Sequence, residues 1–235
     1  MKLSIVIPAY NEEKRIKNTL ETLVERFDGE AEILIVSESS DKTDDIVSEF
    51  SKNSAIIKLL KSNKRLGKGG AFKKGVRNAH GKIVMLLDSD LPVPVSDVEK
   101  VAACVRRFDV AVASRELNET EILVYPPLAR VFAGKAFSKI FNALFRLNVK
   151  DTQCGCKAFR KEVLENVLYK VESNGFEFDA ELLFKCRRAG YTILEVPVTW
   201  SYKPDSKLKL FEDTFKMARG ILRLWVKTYI VMQKT

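Results

Sequence analysis

The sequence has few of the histidine and cysteine side chains on which metal-cluster and disulfide-rich proteins depend. It contains one histidine and four cysteines, and the cysteines form neither a C-x-x-C pair nor a zinc-ligand spacing. A zinc-binding module and a disulfide scaffold are therefore excluded. No cleavable signal precedes the first apolar run, so we expect a protein of the reducing cytosol, in which the segment Cys154-Gly155-Cys156 is structural.

Long uncharged apolar runs are also missing. No stretch approaches the roughly 20 residues that a membrane-spanning helix needs, so we expect that this chain alone does not cross a bilayer. What is present is a hydrophobic fraction of 46% over 235 residues, which is enough for the core of one large α/β domain. The formal charge of +9 suits an anionic partner, namely nucleic acid, acidic lipid or a phosphorylated substrate.

Short apolar runs alternate with segments of helical spacing through the first half of the chain. Predicted strands cover residues 3–7, 33–36, 55–60, 83–87 and 110–113, and helices follow the first three. This alternation predicts an α/β fold with a mostly parallel central sheet and helices on both faces. In such sheets the ligand binds beyond the carboxyl ends of the strands.

The most informative polar residues follow predicted strands. Asp88 and Asp90 come directly after the fourth strand, and residues 64–70 form a glycine-rich turn after the third. Two carboxylates one residue apart on an extended chain point to the same side, and can bind one hard divalent cation together with phosphate oxygens. The alternative for the pair is acidic turn chemistry. The turn lacks the Walker A and dinucleotide spacings, so it is either a mobile turn or a nucleotide-facing loop.

Two later segments combine aromatic and basic residues at helical spacing. Residues 126–147 carry four phenylalanines among arginines and lysines, and a second segment runs from Phe211 to Tyr229. One interpretation is that both segments pack on the protein's own core. The other is that one or both lie in a membrane interface, where lysine and arginine meet anionic lipid.

Together these motifs resemble glycosyltransferase family 2. The first half contributes residues 4–13 (SIVIPAYNEE), the turn 67–71 (GKGGA) and the strand end 88–90 (DSD). The second half is similar to dolichyl-phosphate glucosyltransferases and their mannose-transferring relatives, through residues 150–159 (KDTQCGCKAF), 176–183 (FEFDAELL), 195–200 (EVPVTW) and 206–208 (SKL). The resemblance covers almost the whole chain, and its motifs fall in the family's order.

The resemblance implies the GT-A fold and an inverting, metal-dependent glycosyltransferase. It would move a hexose from a donor of the UDP-glucose or GDP-mannose type to dolichyl or another polyprenyl phosphate, with Mg²⁺ or Mn²⁺ as cofactor. We expect a cytoplasmic protein that is peripheral on the cytosolic face of a membrane, with an anionic membrane surface and no nucleic acid as partner. We expect one catalytic domain over residues 1–235, with a nucleotide-binding half at about 1–115, an acceptor or interface half at about 116–205 and an amphipathic C-terminal helix at about 207–233.

The family's functional residues carry over onto matching positions of this sequence. By the resemblance, Pro8, Tyr10 and Glu12 contact the donor's base and ribose, and Asp88 and Asp90 bind the metal and the diphosphate. The resemblance implies that Arg115 and Arg130 bind the phosphates near the reacting centre. Together with Asp90 they are the predicted catalytic residues. Arg115 also fits a surface ion pair. Further predicted donor contacts are Glu38, Lys68, Ser89, Ser206 and Lys207, the last two in a loop that closes on the donor.

Asp179 and Glu181 fit two roles, either charges at a helix N-terminus or active-site groups. The chain also departs from the family at three places. Residues 36–41 (VSESSD) replace the usual Val-Asp-Asp-Gly-Ser and are one residue short, so Glu38 is a candidate base contact only. A metal-ligating glutamine of some relatives falls at Pro92, which leaves carboxylates, phosphate and water as ligands. The His or Arg that often follows the Trp position is absent, and Lys203 is the candidate substitute.

The implied reaction needs cations more than it needs a base. Negative charge grows on the departing nucleoside diphosphate, and a metal and fixed cations neutralise it. A lipid phosphate is already ionised at neutral pH, so no strong general base is required, in keeping with the one histidine, His80, at a predicted helix end. Three alternatives stay open: a GT-A enzyme with a soluble or saccharide acceptor, a non-catalytic sugar-nucleotide binding module, and a basic nucleic-acid-binding protein.

Overall fold

The first half of the chain alternates strands and helices, as its apolar runs predict. The computed structural model describes residues 3–203 and 210–231, with side chains for 3–203 and 216–229. The predicted strands are all present, and their boundaries shift by at most two residues. The elements are β1 (Leu3–Ala9), α1 (Ile16–Phe27), β2 (Ala31–Ser37), α2 (Thr43–Asn53), β3 (Ile57–Lys61), α3 (Gly67–Arg77), β4 (Ile83–Leu87), α4 (Val95–Cys104) and β5 (Val110–Ser114).

The second half adds strands and helices in a less regular order. They are β6 (Glu121–Val124), α5 (Leu128–Phe145), β7 (Cys156–Arg160), α6 (Lys161–Val167), α7 (Phe178–Arg188), β8 (Ile193–Pro197), β9 (Thr199–Ser201) and α8 (Leu210–Val226). A 3-10 helix (Leu168–Lys170) follows α6, and a π-helix (Lys227–Val231) continues α8. β6 and β9 pair in a separate two-stranded parallel sheet.

The central sheet runs in the order β3-β2-β1-β4-β7-β5-β8 and is parallel except at β7. β7 is antiparallel to both of its neighbours and pairs Cys156 with Leu87 at the end of β4. This register brings the residues just before β7 to the carboxyl end of β4. The expected mostly parallel sheet is confirmed, whereas the antiparallel strand in its middle was not predicted.

Both faces of the sheet are buried, as the near-continuous apolar strands indicate. Ile5 and Ile7 of β1 pack on one face with α1, α2 and α4, while Val6 packs on the other with α3 and helices of the second half. Gly75 of α3 permits a close approach there, because a Cβ at that position would lie 2.2 Å from Val6 Cγ1. The helices thus cover both faces of the sheet and leave the carboxyl ends of its strands accessible.

The two basic aromatic segments form helices that pack against each other. Phe141 and Phe145 of α5 are buried, with ring centroids 4.4 Å apart, and Phe145 lies 6.3 Å from the ring of Tyr229. At the other end of α5, Leu128 and Phe132 are 74% and 71% exposed. Packing on the protein's own core therefore accounts for the C-terminal half of α5 and not for its first turns. In the described ranges, no helix combines the length and apolar character needed to span a bilayer.

Candidate active site

A cavity of about 270 Å³ opens beyond the ends of β1, β4 and β5, at the edge where an α/β sheet places its ligand. Every predicted site residue that the structure describes lines it. These residues are Pro8, Tyr10, Glu12, Glu38, Lys68, Asp88, Ser89, Asp90, Arg115 and Arg130. Ser206 and Lys207 lie outside the described residues. The fold brings the predicted set together, and the individual roles stay predictions.

Asp88 occupies a position that only a neighbouring glycine allows. A Cβ at Gly155, just before β7, would lie 1.7 Å from Asp88 Oδ2, and Asp88 N donates to Gly155 O at 2.9 Å. Burial acts to raise the pKa of Asp88, but the ammonium of Lys68, 3.0 Å from Oδ1, outweighs it and holds the pKa below its ordinary value. Asp88 is therefore an ionised carboxylate in a tightly defined place.

Asp90 is held by an arginine that sequence analysis missed. Arg15 Nη1 lies 3.3 Å from Asp90 Oδ2, and Arg15 Nε donates to Glu12 Oε2 at 2.8 Å. Burial and, next, the charge of Asp88 raise the pKa of Asp90, with Arg15 acting in the opposite direction. The available signal for Arg15 was its place in the loop between β1 and α1. Each acid of the pair thus has a cation of the chain beside it.

Behind Lys68 the charges continue into the core. Lys68 Nζ lies 3.1 Å from Asp179 Oδ2, and Asp179 Oδ1 lies 2.6 Å from Nζ of the fully buried Lys157. Glu181 has a different task, because its carboxylate accepts bonds from the backbone N–H groups of Glu172 and Ser173. The two roles considered for this acidic pair therefore separate: Glu181 is structural, and Asp179 reaches the site through Lys68.

At the end of the cavity near β1 and β2, an arginine stacks on an aromatic ring. Arg65 Cζ lies 3.3 Å from the centroid of the Tyr10 ring. Arg65 also pairs with Glu38, whose carboxylate accepts bonds from the N–H groups of Leu66 and Gly67 at the start of α3. Residues 67–70 of the predicted glycine-rich turn are therefore not a loop but the first turn of α3. Glu38 holds this start of the helix, and Lys68 faces the cavity from it. Besides Arg15 and Arg65, the lining residues missed by sequence analysis include Gln153, Phe176 and Met217.

Two further arginines line the cavity, one directly after β5 and one from α5. Arg115 follows β5 and forms a two-pronged pair with Asp151, at 2.7 and 2.9 Å, and its Cζ lies 5.3 Å from the Trp200 ring centroid. Burial works against both charges, but their mutual attraction prevails: it raises the pKa of Arg115 and lowers that of Asp151 to about 2. The ion pair considered for Arg115 exists, but its acid is buried. Arg130 comes from α5, with Cζ 5.4 Å from the ring centroid of Tyr202.

The donor set of Asp88 and Asp90 fits a hard divalent cation. Carboxylate oxygens suit Mg²⁺ and Mn²⁺, and Mg²⁺ in particular is usually bound by one or two carboxylates with phosphates and water. Within the part of the chain that the structure describes, no group of three or more His, Cys, Asp or Glu side chains is arranged to hold a metal. Oxygens of a bound diphosphate and water would complete the coordination.

Comparisons with known proteins agree with this architecture. The family model described as Glycosyl transferase family 2 matches residues 4–168. Glycosyltransferase AglD of Haloferax volcanii is 32% identical over 96% of this chain, which spans only 37% of that protein. Dolichyl-phosphate beta-glucosyltransferase ALG5D of Trichomonas vaginalis is 30% identical over 95% of this chain and is covered over 73% of its own length. The dolichyl-phosphate beta-glucosyltransferase of Saccharomyces cerevisiae is 29% identical, with coverage of 94% and 73%.

Two solved structures share this fold, and one of them holds a nucleotide and a metal. Glucosyl-3-phosphoglycerate synthase from Mycobacterium tuberculosis, in complex with Mn²⁺, UDP and glucosyl-3-phosphoglycerate, matches with a TM-score of 0.72 and 19% identity over 96% of this chain and 79% of that one. Staphylococcus aureus TarS 1–349 matches with a TM-score of 0.60 and 20% identity, over 94% and 64%. The predicted GT-A fold is confirmed by these likenesses.

Proposed function

The chain belongs to glycosyl transferase family 2 and is a glycosyltransferase, and on this basis we propose that it moves a hexose from a UDP- or GDP-sugar to dolichyl or another polyprenyl phosphate, with inversion. The observation that carries the proposal is one cavity lined by two strand-end acids, Asp88 and Asp90, and by two arginines, Arg115 directly after β5 and Arg130 of α5. The relatives named as dolichyl-phosphate glucosyltransferases support the acceptor class.

The donor lies, in this proposal, along the half of the cavity built by residues 1–115. Pro8 and the stacked Tyr10–Arg65 pair flank the base, and the diphosphate points toward Asp88 and Asp90. A Mg²⁺ or Mn²⁺ ion held by these two acids would neutralise the charge that grows on the leaving nucleoside diphosphate. Lys68 adds a fixed cation of the chain at the same place, and direct displacement from an α-linked donor gives a β-linked product.

The acceptor approaches, in this proposal, from the half formed by residues 116–205, and Met217 of α8 lines the same cavity. Because a lipid phosphate is already ionised, the chain must bind it against the repulsion of the diphosphate rather than deprotonate it. Arginine's planar fork suits that task. Asp151 fixes the orientation of Arg115, and α5 places Arg130 on the same cavity.

The proposed membrane contact is an apolar strip beside Arg130. Its members come from the end of β6, the start of α5 and the connection between them, and are 49–74% exposed: Leu123, Val124, Tyr125, Leu128 and Phe132. So many exposed large apolar side chains in one short segment are unusual on a protein surface facing water alone. We assign it to the interface of an anionic membrane on the cytosolic side, with the isoprenoid chain next to it and the phosphate at Arg130.

The donor is tested with a thermal-shift panel of UDP- and GDP-sugars, each with and without Mn²⁺. A donor should raise the melting temperature, because a ligand that binds only the folded state stabilises it by mass action, and the rise should require Mn²⁺. The donor so identified is then supplied with a polyprenyl phosphate, and a β-linked lipid product is expected. A panel without any Mn²⁺-dependent shift, or a bound donor that is never transferred, would contradict the proposal.

A second candidate is a soluble acceptor, as in the glucosyl-3-phosphoglycerate synthase that shares the fold. Cosedimentation with anionic liposomes separates the two. We expect the protein to sediment with vesicles and Phe132→Ser to reduce the bound fraction. Tyr169→Ser is the matched control, because Tyr169 is 75% exposed but lies on the 3-10 helix outside the strip. Absence of any partition to vesicles would favour the soluble acceptor.

A further inference from the structure

Four side chains of alternating charge form an unbroken row from the cavity into the core. The contacts are Asp88 Oδ1 to Lys68 Nζ at 3.0 Å, Lys68 Nζ to Asp179 Oδ2 at 3.1 Å and Asp179 Oδ1 to Lys157 Nζ at 2.6 Å. Side-chain exposure falls along this charge row from 36% at Asp88 through 13% and 1% to none at Lys157. Asp88 and Lys68 line the cavity and can meet a ligand, whereas Asp179 and Lys157 are buried behind them.

Lys68 has two anionic partners, and the outer one is also a predicted metal ligand. A divalent ion that binds Asp88 would stand close to the Lys68 ammonium, and two cations on one carboxylate repel each other. If Asp88 were its only partner, Lys68 would compete with the metal or be left as an uncompensated buried charge. Asp179 offers the ammonium a second carboxylate at nearly the same distance.

The inner partner is itself firmly held. Asp179 is 1% exposed, it receives the buried Lys157 ammonium, and it lies in the first turn of α7, where the helix dipole stabilises negative charge. Lys157 is fixed in turn, because its Nζ donates to Cys154 O at 2.5 Å. Asp179 is therefore fixed in place by Lys157. If Lys68 moved toward the cavity, it would lose its ion pair with Asp179.

We propose that Asp179 is a positioning residue that retains Lys68 when a divalent cation binds Asp88, and so keeps Asp88 available to the metal. The proposal rests on the metal site of the proposed function and deepens it. If Asp179 were purely structural, it would only neutralise the buried charge of Lys157. The positioning role and the structural role predict different Mn²⁺ affinities when Lys68 is removed together with Asp179.

The test measures binding of Mn²⁺ alone, from the electron paramagnetic resonance signal of the free ion, without donor or acceptor. In Asp179→Asn, Lys68 has Asp88 as its one carboxylate partner, and the Kd for Mn²⁺ should rise by about tenfold or more. In Lys68→Met/Asp179→Asn the competitor is gone, and Mn²⁺ affinity should return at least to that of the unmodified protein. Lys68→Met alone should bind Mn²⁺ more tightly than the unmodified protein.

Glu181→Gln is the matched control, since it removes a buried carboxylate two residues along the same helix whose bonds go to Glu172 and Ser173. It should leave Mn²⁺ binding unchanged. If the lone Lys157 ammonium prevents Asp179→Asn from folding, Lys157→Met/Asp179→Asn removes both members of the inner pair, and the same rise in Kd is expected.

Two results overturn the inference: an Asp179 variant that binds Mn²⁺ as tightly as the unmodified protein, or a Lys68→Met/Asp179→Asn protein that binds it as weakly as Asp179→Asn. Either would leave the proposed function standing. If the unmodified protein binds no Mn²⁺, even with UDP-glucose or GDP-mannose present, the metal site of the proposed function fails and the inference fails with it.

Discussion

Replacing Gly155 with alanine should disable the proposed metal site without unfolding the protein. The new Cβ would lie 1.7 Å from Asp88 Oδ2 and 2.0 Å from its Cγ, whereas real Cβ atoms essentially never approach another atom closer than 3.0 Å. The carboxylate oxygen must therefore move by at least 1.3 Å. Metal–ligand distances tolerate only about 0.2 Å, so Asp88 would lose its place in the coordination shell.

The size of the effect follows from that displacement. A misplacement of about 1 Å in a reacting group commonly costs about 100-fold in rate, and we expect a loss of that order or larger in kcat/KM. The cost in stability is small, because the clash is with the end of a side chain that is 36% exposed and can rotate into the cavity. Losing the Lys68 contact should cost about 1 kcal/mol.

Gly75→Ala is the matched control, with the opposite expected outcome. Its Cβ would lie 2.2 Å from Val6 Cγ1, and Val6 is fully buried and stiff because it is β-branched. Overpacking of this kind costs about 1–3 kcal/mol, or roughly 3–10 °C in melting temperature for a chain of this size. Since the clash lies away from the cavity, the folded fraction should keep its activity.

The assays are thermal unfolding, the Kd for Mn²⁺ and sugar transfer, all below the melting temperature of both variants. We expect Gly155→Ala to melt within a few degrees of the unmodified protein and to lose Mn²⁺ binding and turnover. If Gly155→Ala keeps the Mn²⁺ affinity and kcat/KM of the unmodified protein, Asp88 is not a metal ligand in the position described.

Three further predictions concern single side chains. Asp90→Ala should abolish Mn²⁺- or Mg²⁺-dependent turnover while the circular dichroism spectrum stays unchanged, and retained turnover would end the metal assignment. Arg130→Ala should raise the KM for the lipid phosphate by about 10–100-fold with little change in donor binding, whereas a fall in donor affinity would mean that Arg130 contacts the other phosphate. Burial would raise the pKa of Glu32, but bonds from Ser4 and His80 lower it from 4.5 to about 2. The stability that this gives is present above pH 4.5 and lost as the pH falls toward 2. In Glu32→Gln the free energy of unfolding should therefore fall by about 2 kcal/mol less between pH 4.5 and pH 2 than in the unmodified protein; an unchanged pH profile would contradict this.

The sequence predicts the first half of the molecule well because each strand there is a separate apolar run followed by a helix. Asp88 and Asp90 could be placed at a strand end for that reason, and the parallel sheet then gathers all strand-end residues on one edge. Periodicity also predicts α5 and α8. It does not predict which part of α5 is buried, because Phe132 and Phe141 look alike until α7 and α8 are in place.

The parts that could not be predicted depend on contacts between distant segments. β7 is short and has Lys157 as the second of its five residues, and a lysine argues against a buried strand unless its partner is known. Asp179, that partner, comes 22 residues later. Gly155 carries no local sign that a carboxylate from residue 88 fills the space of its missing side chain.

The antiparallel strand in the middle of the sheet also governs how the protein is made. A chain synthesised only as far as residue 115 has β1 to β5, but β4 and β5 lack the strand that joins them, so each presents a row of unpaired N–H and C=O groups. Both edges stay open until residue 160 has left the ribosome. We therefore expect the chain to be most prone to aggregation and chaperone capture in that interval, and residues 1–115 expressed alone to aggregate through these two edges.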